Sequence, residues 1–332
     1  MAHPTRTRSI AGAATYAAFG SPHTPCRLRL RPLWAVGMLP LLALLFCCTA
    51  CGTNSSSGTG GTVQVVAGEN VWGNIAAQVG GSRVAVKSII VDPNADPHDF
   101  DAKPSDARAV ADAQYVIVNG AGYDPWLSKL LDANPSSGRR VLDVGKLVGR
   151  KAGDNPHLWY NPDFVSRVVD QITADLKALD AADAAAFDQQ NTQFKTVGLK
   201  TYHDLIGTIK SKYASAPVGS TESIFIDMAA ACGLDLTTPP GYMRAISEGS
   251  ELSPADKAAF DQQVTQKRIK VLVLNRQNAT PDTDDIKSKA QAAGIPVVNI
   301  TETLDPANVS FQEWQDAQLQ YLLQALEDAN AK

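Results

Sequence analysis

Two histidines and two glutamates have the residue types and surroundings of a site for a divalent metal ion. His98 lies in the sequence DPHDF and His157 in NPHLWYNP, so each follows a proline that restricts the local backbone. Glu222 and Glu302 each follow an apolar stretch that predicts a strand. Two neutral imidazoles and two carboxylates together would balance a divalent cation.

Each of these residues also has an ordinary structural explanation. A loop histidine is commonly a surface residue, and an acid in the first turn of a helix complements the helix dipole. His203, in KTYHDLIG, lies among polar neighbours of a predicted helix, and we expect it to be a plain helix residue. The matched Pro-His settings favour a metal site, but spacing alone leaves both explanations open.

The elements that would position these residues belong to an α/β protein. Short apolar segments alternate with helical patterns, which is typical of a parallel sheet covered on both faces. His98 follows the predicted strand 83–91, at the edge where open α/β sheets bind ligands. Ser253 is placed to cap a helix over 253–268. Further strands are predicted at 63–68, 114–120, 139–144, 216–220, 270–275 and 295–301, and a helix at 222–233.

The same pattern predicts two lobes, each with a mostly parallel sheet flanked by helices, joined by a helical connector, which could be one long backbone helix or two helices of a bundle. A chain of 332 residues is long enough for two domains around separate cores. The connector would be a helix of about 30 residues, roughly 45 Å long. The predicted segments are a signal peptide (1–50), a flexible tether (51–62), an N-terminal metal-binding lobe (63–180), an interdomain helix (181–213) and a C-terminal metal-binding lobe (214–332).

The N-terminal region has the features of an export signal that ends in a lipidation site. Five arginines and no acids precede the apolar stretch LWAVGMLPLLALLFCCTAC. Thr49, Ala50, Cys51 and Gly52 form a lipobox, which predicts lipidation of Cys51 and anchoring to the outer face of the cell membrane. The Gly/Ser-rich tether fits this interpretation. An ordinary signal peptide that happens to contain a cysteine is the alternative.

Removal of the signal leaves an acidic chain with two cysteines. The first 50 residues carry five of the 30 basic residues and none of the 34 acidic ones, so the remainder has a net charge of −9. Such a charge disfavours nucleic-acid binding. If Cys51 is lipidated, Cys232 has no disulfide partner, and we expect it to be a packed core thiol. We expect a monomer.

Six motifs together resemble the metal-binding lipoproteins of bacterial ATP-binding-cassette importers for zinc and manganese. The resemblance covers residues 63–330. It implies two α/β lobes on a long rigid helix, with the metal held between them by His98 and His157 from the first lobe and Glu222 and Glu302 from the second. It also implies a permease partner. The motifs are DPHDFDAKPSD, VNGAGYDPWLSKLL, NPHLWYNP, STESIFIDMAAACGL, EGSELSPADKAAF and GIPVVNITETL.

Some positions depart from the family pattern. Asn161 stands where the family often has an aspartate, and Glu302 where aspartate is common. The chain lacks both the His-rich loop of zinc-specific relatives and their third histidine at the position of Glu222. Two imidazoles with two carboxylates slightly favour Mn²⁺ as the transported ligand, with Zn²⁺ or Fe²⁺ as alternatives.

Two other functions are compatible with parts of the sequence. A binding protein for a metal chelate or an organic solute could use Arg244 and Trp159, but the paired histidines would then be unexplained. A metallohydrolase could use Asp99 or Glu248 as a base. Four protein ligands leave little room for water and substrate, and no H-E-x-x-H motif is present, so we expect no enzyme.

Overall fold

Two four-stranded parallel sheets form the centre of the protein. The computed structural model describes residues 61–94 and 100–331; the predicted signal peptide and nearly all of the tether lie outside these residues. The strands are β1 (Val63–Glu69), β2 (Val84–Ile90), β3 (Tyr115–Val118) and β4 (Arg140–Asp143) in the first lobe, and β5 (Pro217–Ser220), β6 (Asp235–Leu236), β7 (Val271–Asn275) and β8 (Val297–Ile300) in the second. The predicted fold class of two parallel-sheet α/β lobes is confirmed.

Both sheets have the same topology, and it determines where a ligand can bind. The strand orders are β2-β1-β3-β4 and β6-β5-β7-β8. The inner strands β3 and β7 are buried along their whole length, as expected for sheets covered on both faces. The strand order reverses between β1 and β3 in the first sheet and between β5 and β7 in the second. In α/β proteins, ligands bind in the crevice at such a reversal, outside the carboxyl ends of the strands.

The helices of the first lobe cover its sheet, and a further run of helices leads to the second lobe. The first-lobe helices are α1 (Asn70–Gly80), α2 (Pro104–Asp112), α3 (Pro125–Ala133) and α4 (Val144–Val148), followed by α5 (Pro162–Leu179), α6 (Ala184–Gln193) and α7 (Lys200–Tyr213). The predicted helix over 181–213 is not continuous. It begins as a 3₁₀ turn at Ala181–Asp183, and a π-helical turn at Phe194–Gly198 separates α6 from α7.

The second lobe contains α8 (Ile226–Ala231), α9 (Pro240–Ser247), α10 (Pro254–Thr265), α11 (Pro281–Ala292) and α12 (Phe311–Asn330). Ser253 accepts a hydrogen bond from the Asp256 backbone N–H, so its predicted capping role is confirmed. The helix predicted at 222–233 is shorter, because residues Ser223–Phe225 form a 3₁₀ turn. Within the described residues, no helix combines the length and apolar character needed to cross a bilayer.

One hydrophobic cluster extends through both lobes, and each lobe also contains a smaller cluster of its own. One buried cluster runs from Trp72 and Trp159 in the first lobe to Val271 and Trp314 in the second. The lobes become continuous because α12 packs along α7 and also reaches α1. Cys232 is fully buried in this cluster, which confirms its predicted packing role. A shared core makes a large hinge motion costly, since it would expose apolar surface.

Candidate metal centre

Three of the four predicted ligands converge between the two lobes. His157, Glu222 and Glu302 each offer one ligand atom, and these atoms lie within 4.8 Å of one another. All three side chains are completely buried. The Nε2 atom of His157 is 3.6 Å from Oε2 of Glu302. His98, the fourth predicted ligand, and Cys51, the predicted lipidation site, lie outside the described residues.

His157 is held by its own loop and by aromatic neighbours. It follows Pro156 and precedes the 3₁₀ turn Leu158–Tyr160. Its Nδ1 atom is 2.8 Å from Oδ1 of Asn155, and the rings of Tyr123 and Trp159 pack edge-on against the imidazole. These contacts direct Nε2 towards the two glutamates.

Glu222 lies two residues beyond the end of β5 and beside Asn275, the last residue of the neighbouring strand β7. Nδ2 of Asn275 donates to Glu222, and Nδ2 of Asn278 donates to the other carboxylate oxygen at 3.0 Å. Oδ1 of Asn275 accepts from the backbone N–H of Gln277, which fixes the amide with its NH₂ group towards the site. Both residues therefore stand at the strand-order reversal of the second sheet.

Glu302 lies just beyond β8, in a loop that is attached to the first lobe. Its carboxylate accepts a hydrogen bond from Tyr123 Oη at 2.6 Å and one from Asn275 Nδ2 at 2.7 Å. The same loop is held by Tyr160, whose hydroxyl donates to the Thr301 carbonyl at 2.7 Å, and by Asn70, whose Oδ1 accepts from the Leu304 backbone N–H. Glu302 belongs to the second lobe in sequence but is positioned by both lobes.

Sequence reasoning missed the residues that orient the ligands. Asn275, Gln277 and Asn278 follow one buried strand in the sequence KVLVLNRQN. This run of polar residues at a strand's carboxyl end was the available signal, because such positions border the ligand edge of the sheet. Tyr123 gave no comparable signal.

A cavity of about 870 Å³ is lined in part by Tyr123, Ser223 and Asn278, each of which contacts one of the three converging side chains. Arg244 and Glu248, which we considered for other functions, also line it and are exposed. Trp159 is instead a core residue whose ring packs against Trp72. His203 is exposed on α7 and does not belong to the converging group, and Asp99 lies outside the described residues.

A second pair of acids lies buried close to the site. Glu69 ends β1, and neither of its carboxylate oxygens has a hydrogen-bond partner in the part of the chain that the structure describes. Burial, and then the charge of Asp124, raises the pKa of Glu69 well above its ordinary value. Burial also raises the pKa of Asp124 to about 6, although Asp124 accepts two backbone hydrogen bonds from Asn119 and Gly120.

The donor set suits a divalent transition metal. Imidazole nitrogen and carboxylate oxygen are both ligands of Mn²⁺, Fe²⁺ and Zn²⁺. The carboxylates of Glu222 and Glu302 are completely buried and lie close together. Two like charges buried close together repel each other, and a cation between them would offset that repulsion. The residues therefore fit a metal ion.

Two α/β lobes that enclose buried nitrogen and oxygen donors define a metal-binding solute-binding protein of the kind that serves ATP-binding-cassette importers. The model of the family "Zinc-uptake complex component A periplasmic" (ZnuA) matches residues 65–325, and the chain belongs to this family. The resemblance seen in the six sequence motifs is thereby confirmed.

Several relatives are substrate-binding lipoproteins. The metal ABC transporter substrate-binding lipoprotein FimA of Streptococcus parasanguinis is 24% identical over 282 residues, covering 77% of this chain and 85% of that protein. The manganese ABC transporter substrate-binding lipoprotein PsaA of Streptococcus mitis is 22% identical over 285 residues, covering 78% and 85%.

Solved structures share the fold. A Cd-bound periplasmic metal-binding protein from Candidatus Liberibacter asiaticus has a TM-score of 0.66 and 16% identity, covering 79% of this chain and 98% of that one. A crystal structure of ZnuA has a TM-score of 0.63 and 20% identity, covering 81% and 99%.

Proposed function

We propose that this chain captures one divalent transition metal outside the cytoplasmic membrane through His98, His157, Glu222 and Glu302, and delivers it to an ATP-binding-cassette permease. It acts as a binding protein and not as an enzyme. The observation that carries the proposal is the meeting of three buried ligand side chains from two lobes, with their ligand atoms within 4.8 Å.

We propose Mn²⁺ as the favoured cargo, with Zn²⁺ and Fe²⁺ as competitors. The support is the donor set, in which carboxylates are as numerous as imidazoles once His98 is included. The relatives named for manganese are consistent with this choice. Zinc binds many such sites more tightly than manganese, so selectivity in the cell would also depend on metal availability.

The direct test is calorimetry on the purified, metal-free protein with Mn²⁺ and Zn²⁺. We expect about one equivalent of metal to bind. His98→Ala and His157→Ala should each abolish or greatly weaken binding, whereas His203→Ala is the matched control because this histidine is exposed on α7. Unchanged binding by the first two variants would refute the proposed site. Elemental analysis of protein purified without added metal would identify the cargo.

We also propose that Cys51 carries the lipid anchor of a monomeric surface protein. The lipobox and the Gly/Ser-rich tether support this, and relatives are named as lipoproteins. Mass spectrometry of the membrane fraction should find a diacylated Cys51, and Cys51→Ala should release the protein from membranes. Membrane retention of that variant would contradict the proposed anchor.

A metal chelate is the second candidate ligand, because the cavity beside the site is far larger than a single ion. Six water molecules around an ion would fill roughly 180 Å³ at about 30 Å³ each, against a cavity of about 870 Å³. Arg244 lines this cavity and could bind an anionic chelator. Tighter binding of Mn²⁺ in the presence of a small carboxylate chelator, lost in Arg244→Ala, would favour this candidate.

A further inference from the structure

Asp227, a second-lobe residue in α8, contacts three first-lobe groups at the edge of the metal centre. Its Oδ2 atom accepts from Asn155 Nδ2 at 3.4 Å, and its Oδ1 atom accepts from Asn161 Nδ2 at 3.3 Å. The guanidinium of Arg150 lies 3.8 Å from the same Oδ1. The Asp227 side chain is only 11% exposed, so these contacts are largely shielded from water.

One of these three groups also contacts a proposed ligand. Asn155 Oδ1 is 2.8 Å from His157 Nδ1, and it accepts a second hydrogen bond from the His157 backbone N–H at 3.3 Å. Among the described residues, Ser223 Oγ also lies near Nδ1, at the longer distance of 3.5 Å. Asn155 Oδ1 is therefore closer to this ring nitrogen than Ser223 Oγ is.

We propose that Asp227 is a positioning residue that fixes, through Asn155, the tautomer of His157 in which Nδ1 carries the proton and Nε2 can bind the metal. An ionised carboxylate only accepts hydrogen bonds, so it holds the NH₂ group of Asn155 towards itself. The carbonyl oxygen of Asn155 must then face His157. That oxygen also only accepts, so Nδ1 carries the proton and Nε2 keeps its lone pair.

The need of the Asp227 carboxylate for hydrogen-bond donors also accounts for asparagine at position 161. Oδ1 of Asn161 caps α5 by accepting from the backbone N–H groups of Asp163 and Phe164. Its Nδ2 atom is left to donate to Asp227. An aspartate could cap the helix equally well, but it would place a second carboxylate against Asp227. Asn161 thus donates a hydrogen bond from the first lobe to the Asp227 carboxylate of the second lobe.

The arrangement connects ligand orientation to the closeness of the lobes. Separation at this edge would break the Asp227–Asn155 hydrogen bond, and the Asn155 amide could then rotate and present NH₂ to His157 Nδ1. In that state Nδ1 would have to accept, and the proton would move to Nε2. Opening the edge would therefore weaken metal binding without moving either glutamate.

The proposal rests on the proposed metal-binding function, and its test has one readout that needs no metal. In the metal-free protein, ¹⁵N chemical shifts of the His157 ring should show a proton on Nδ1. Asp227→Asn should give a mixture of tautomers, because an amide at 227 can either donate to or accept from Asn155. Chelator competition should show Mn²⁺ affinity reduced roughly 10- to 100-fold, as for other residues that orient metal ligands. Asp235→Asn, an exposed second-lobe aspartate, is the matched control.

A paired substitution separates orientation from a general loss of structure. Asn161→Asp alone should weaken Mn²⁺ binding by repelling Asp227. Combined with Asp227→Asn it should restore affinity to within a few-fold of the unchanged protein, because the new carboxylate accepts from the new amide and leaves its oxygen for Asn155. If Asp227→Asn fails to fold, the single Asn161→Asp variant perturbs the same contact from the other lobe.

The outcomes distinguish this proposal from the proposed function. If Asp227→Asn keeps the Nδ1 proton and binds Mn²⁺ within two-fold of the unchanged protein, while His157→Ala abolishes binding, the role of Asp227 is refuted and the metal site stands. If the unchanged protein binds no metal, the proposed function fails, and the tautomer measurement alone decides the role of Asp227. Absence of rescue in the paired variant would also contradict the proposal.

Discussion

The two buried glutamates of the metal centre should make the metal-free protein less stable than a variant that lacks one of the charges. The ligand atoms of Glu222 and Glu302 lie within 4.8 Å of each other, and both side chains are completely buried. At an effective dielectric constant of about 20, two like charges at this distance repel each other by about 3.5 kcal/mol. We therefore expect Glu302→Gln to stabilise the metal-free protein at pH 8.

The expected gain is smaller than the full repulsion. Asn275 Nδ2 donates to both carboxylates and already offsets part of it. A glutamine at position 302 can still accept from Asn275 through its oxygen. Its NH₂ group can donate to the Tyr123 hydroxyl, which is able to reverse its role. With the hydrogen bonds retained, we expect a net gain of about 1–3 kcal/mol.

Added metal should reverse the order of stability of the unchanged protein and the Glu302→Gln variant. A ligand present at 100 times its dissociation constant stabilises the folded state by about 2.7 kcal/mol, and Glu302→Gln removes a charge that holds this ligand. The assay is urea unfolding at pH 8, with EDTA and then with excess Mn²⁺. The variant should be the more stable protein in EDTA and the less stable one in Mn²⁺.

Two further variants make this experiment decisive. Glu222→Gln should behave like Glu302→Gln, because the repulsion belongs to the pair. Glu251→Gln changes an exposed glutamate and should leave both curves unchanged. A folded Glu302→Gln that is less stable than the unchanged protein in EDTA would refute the reasoning that the carboxylates repel each other in the empty site.

Three other predictions follow from buried groups elsewhere in the first and second lobes. Burial, and then the charge of Asp124, raises the pKa of Glu69. The folded state therefore binds this proton more tightly, and the stability of the metal-free protein should fall as the pH rises above about 4.5. Glu69→Gln should reduce that fall in urea titrations between pH 5 and 8, and parallel stability profiles of the two proteins would contradict the prediction. Burial raises the pKa of the Cys232 thiol to about 12, so a thiol reagent should label Cys232 only after denaturation. Fast labelling of Cys232 in the folded protein, located by peptide mapping, would show that this packing is wrong. A methyl group at Gly73 would overlap the Ser88 hydroxyl. Gly73→Ala should therefore lower the free energy of unfolding in urea by about 1–3 kcal/mol. If Gly73→Ala has the same effect in a Ser88→Gly background, the clash is not its cause.

Most of the fold could be predicted because the chain marks its elements locally. Buried strands such as β3 and β7 are short apolar runs, and Pro162, Pro254 and Pro281 each stand at the first position of a helix. The short elements β6 and α9 were missed, because two strand residues or eight helical ones carry too little periodic signal. The π-helical turn was missed for a different reason: its residues are as compatible with an α-helix, and packing decides between the two.

The candidate metal centre was predictable only as far as the side chains that we propose as ligands. His157, Glu222 and Glu302 were identified from motifs that each include their own strand end or proline. The residues that orient them come from remote parts of the chain. Tyr123 lies 179 positions from Glu302, and no local pattern could have paired them. Such partners become visible only when the fold brings two strand ends together.

The shared hydrophobic cluster holds the two lobes together, whereas release of a bound metal requires some movement around the site. A continuous core from Trp72 to Trp314 keeps the lobes together, which disfavours release by wide opening. A carrier must nevertheless release its cargo. Polar contacts between the lobes can break at a much lower cost in free energy. Water can replace a broken hydrogen bond, whereas separating packed aromatic rings exposes apolar surface to water. Release by local rearrangement around Asp227 and the Glu302 loop is therefore more consistent with this architecture than rotation of whole lobes.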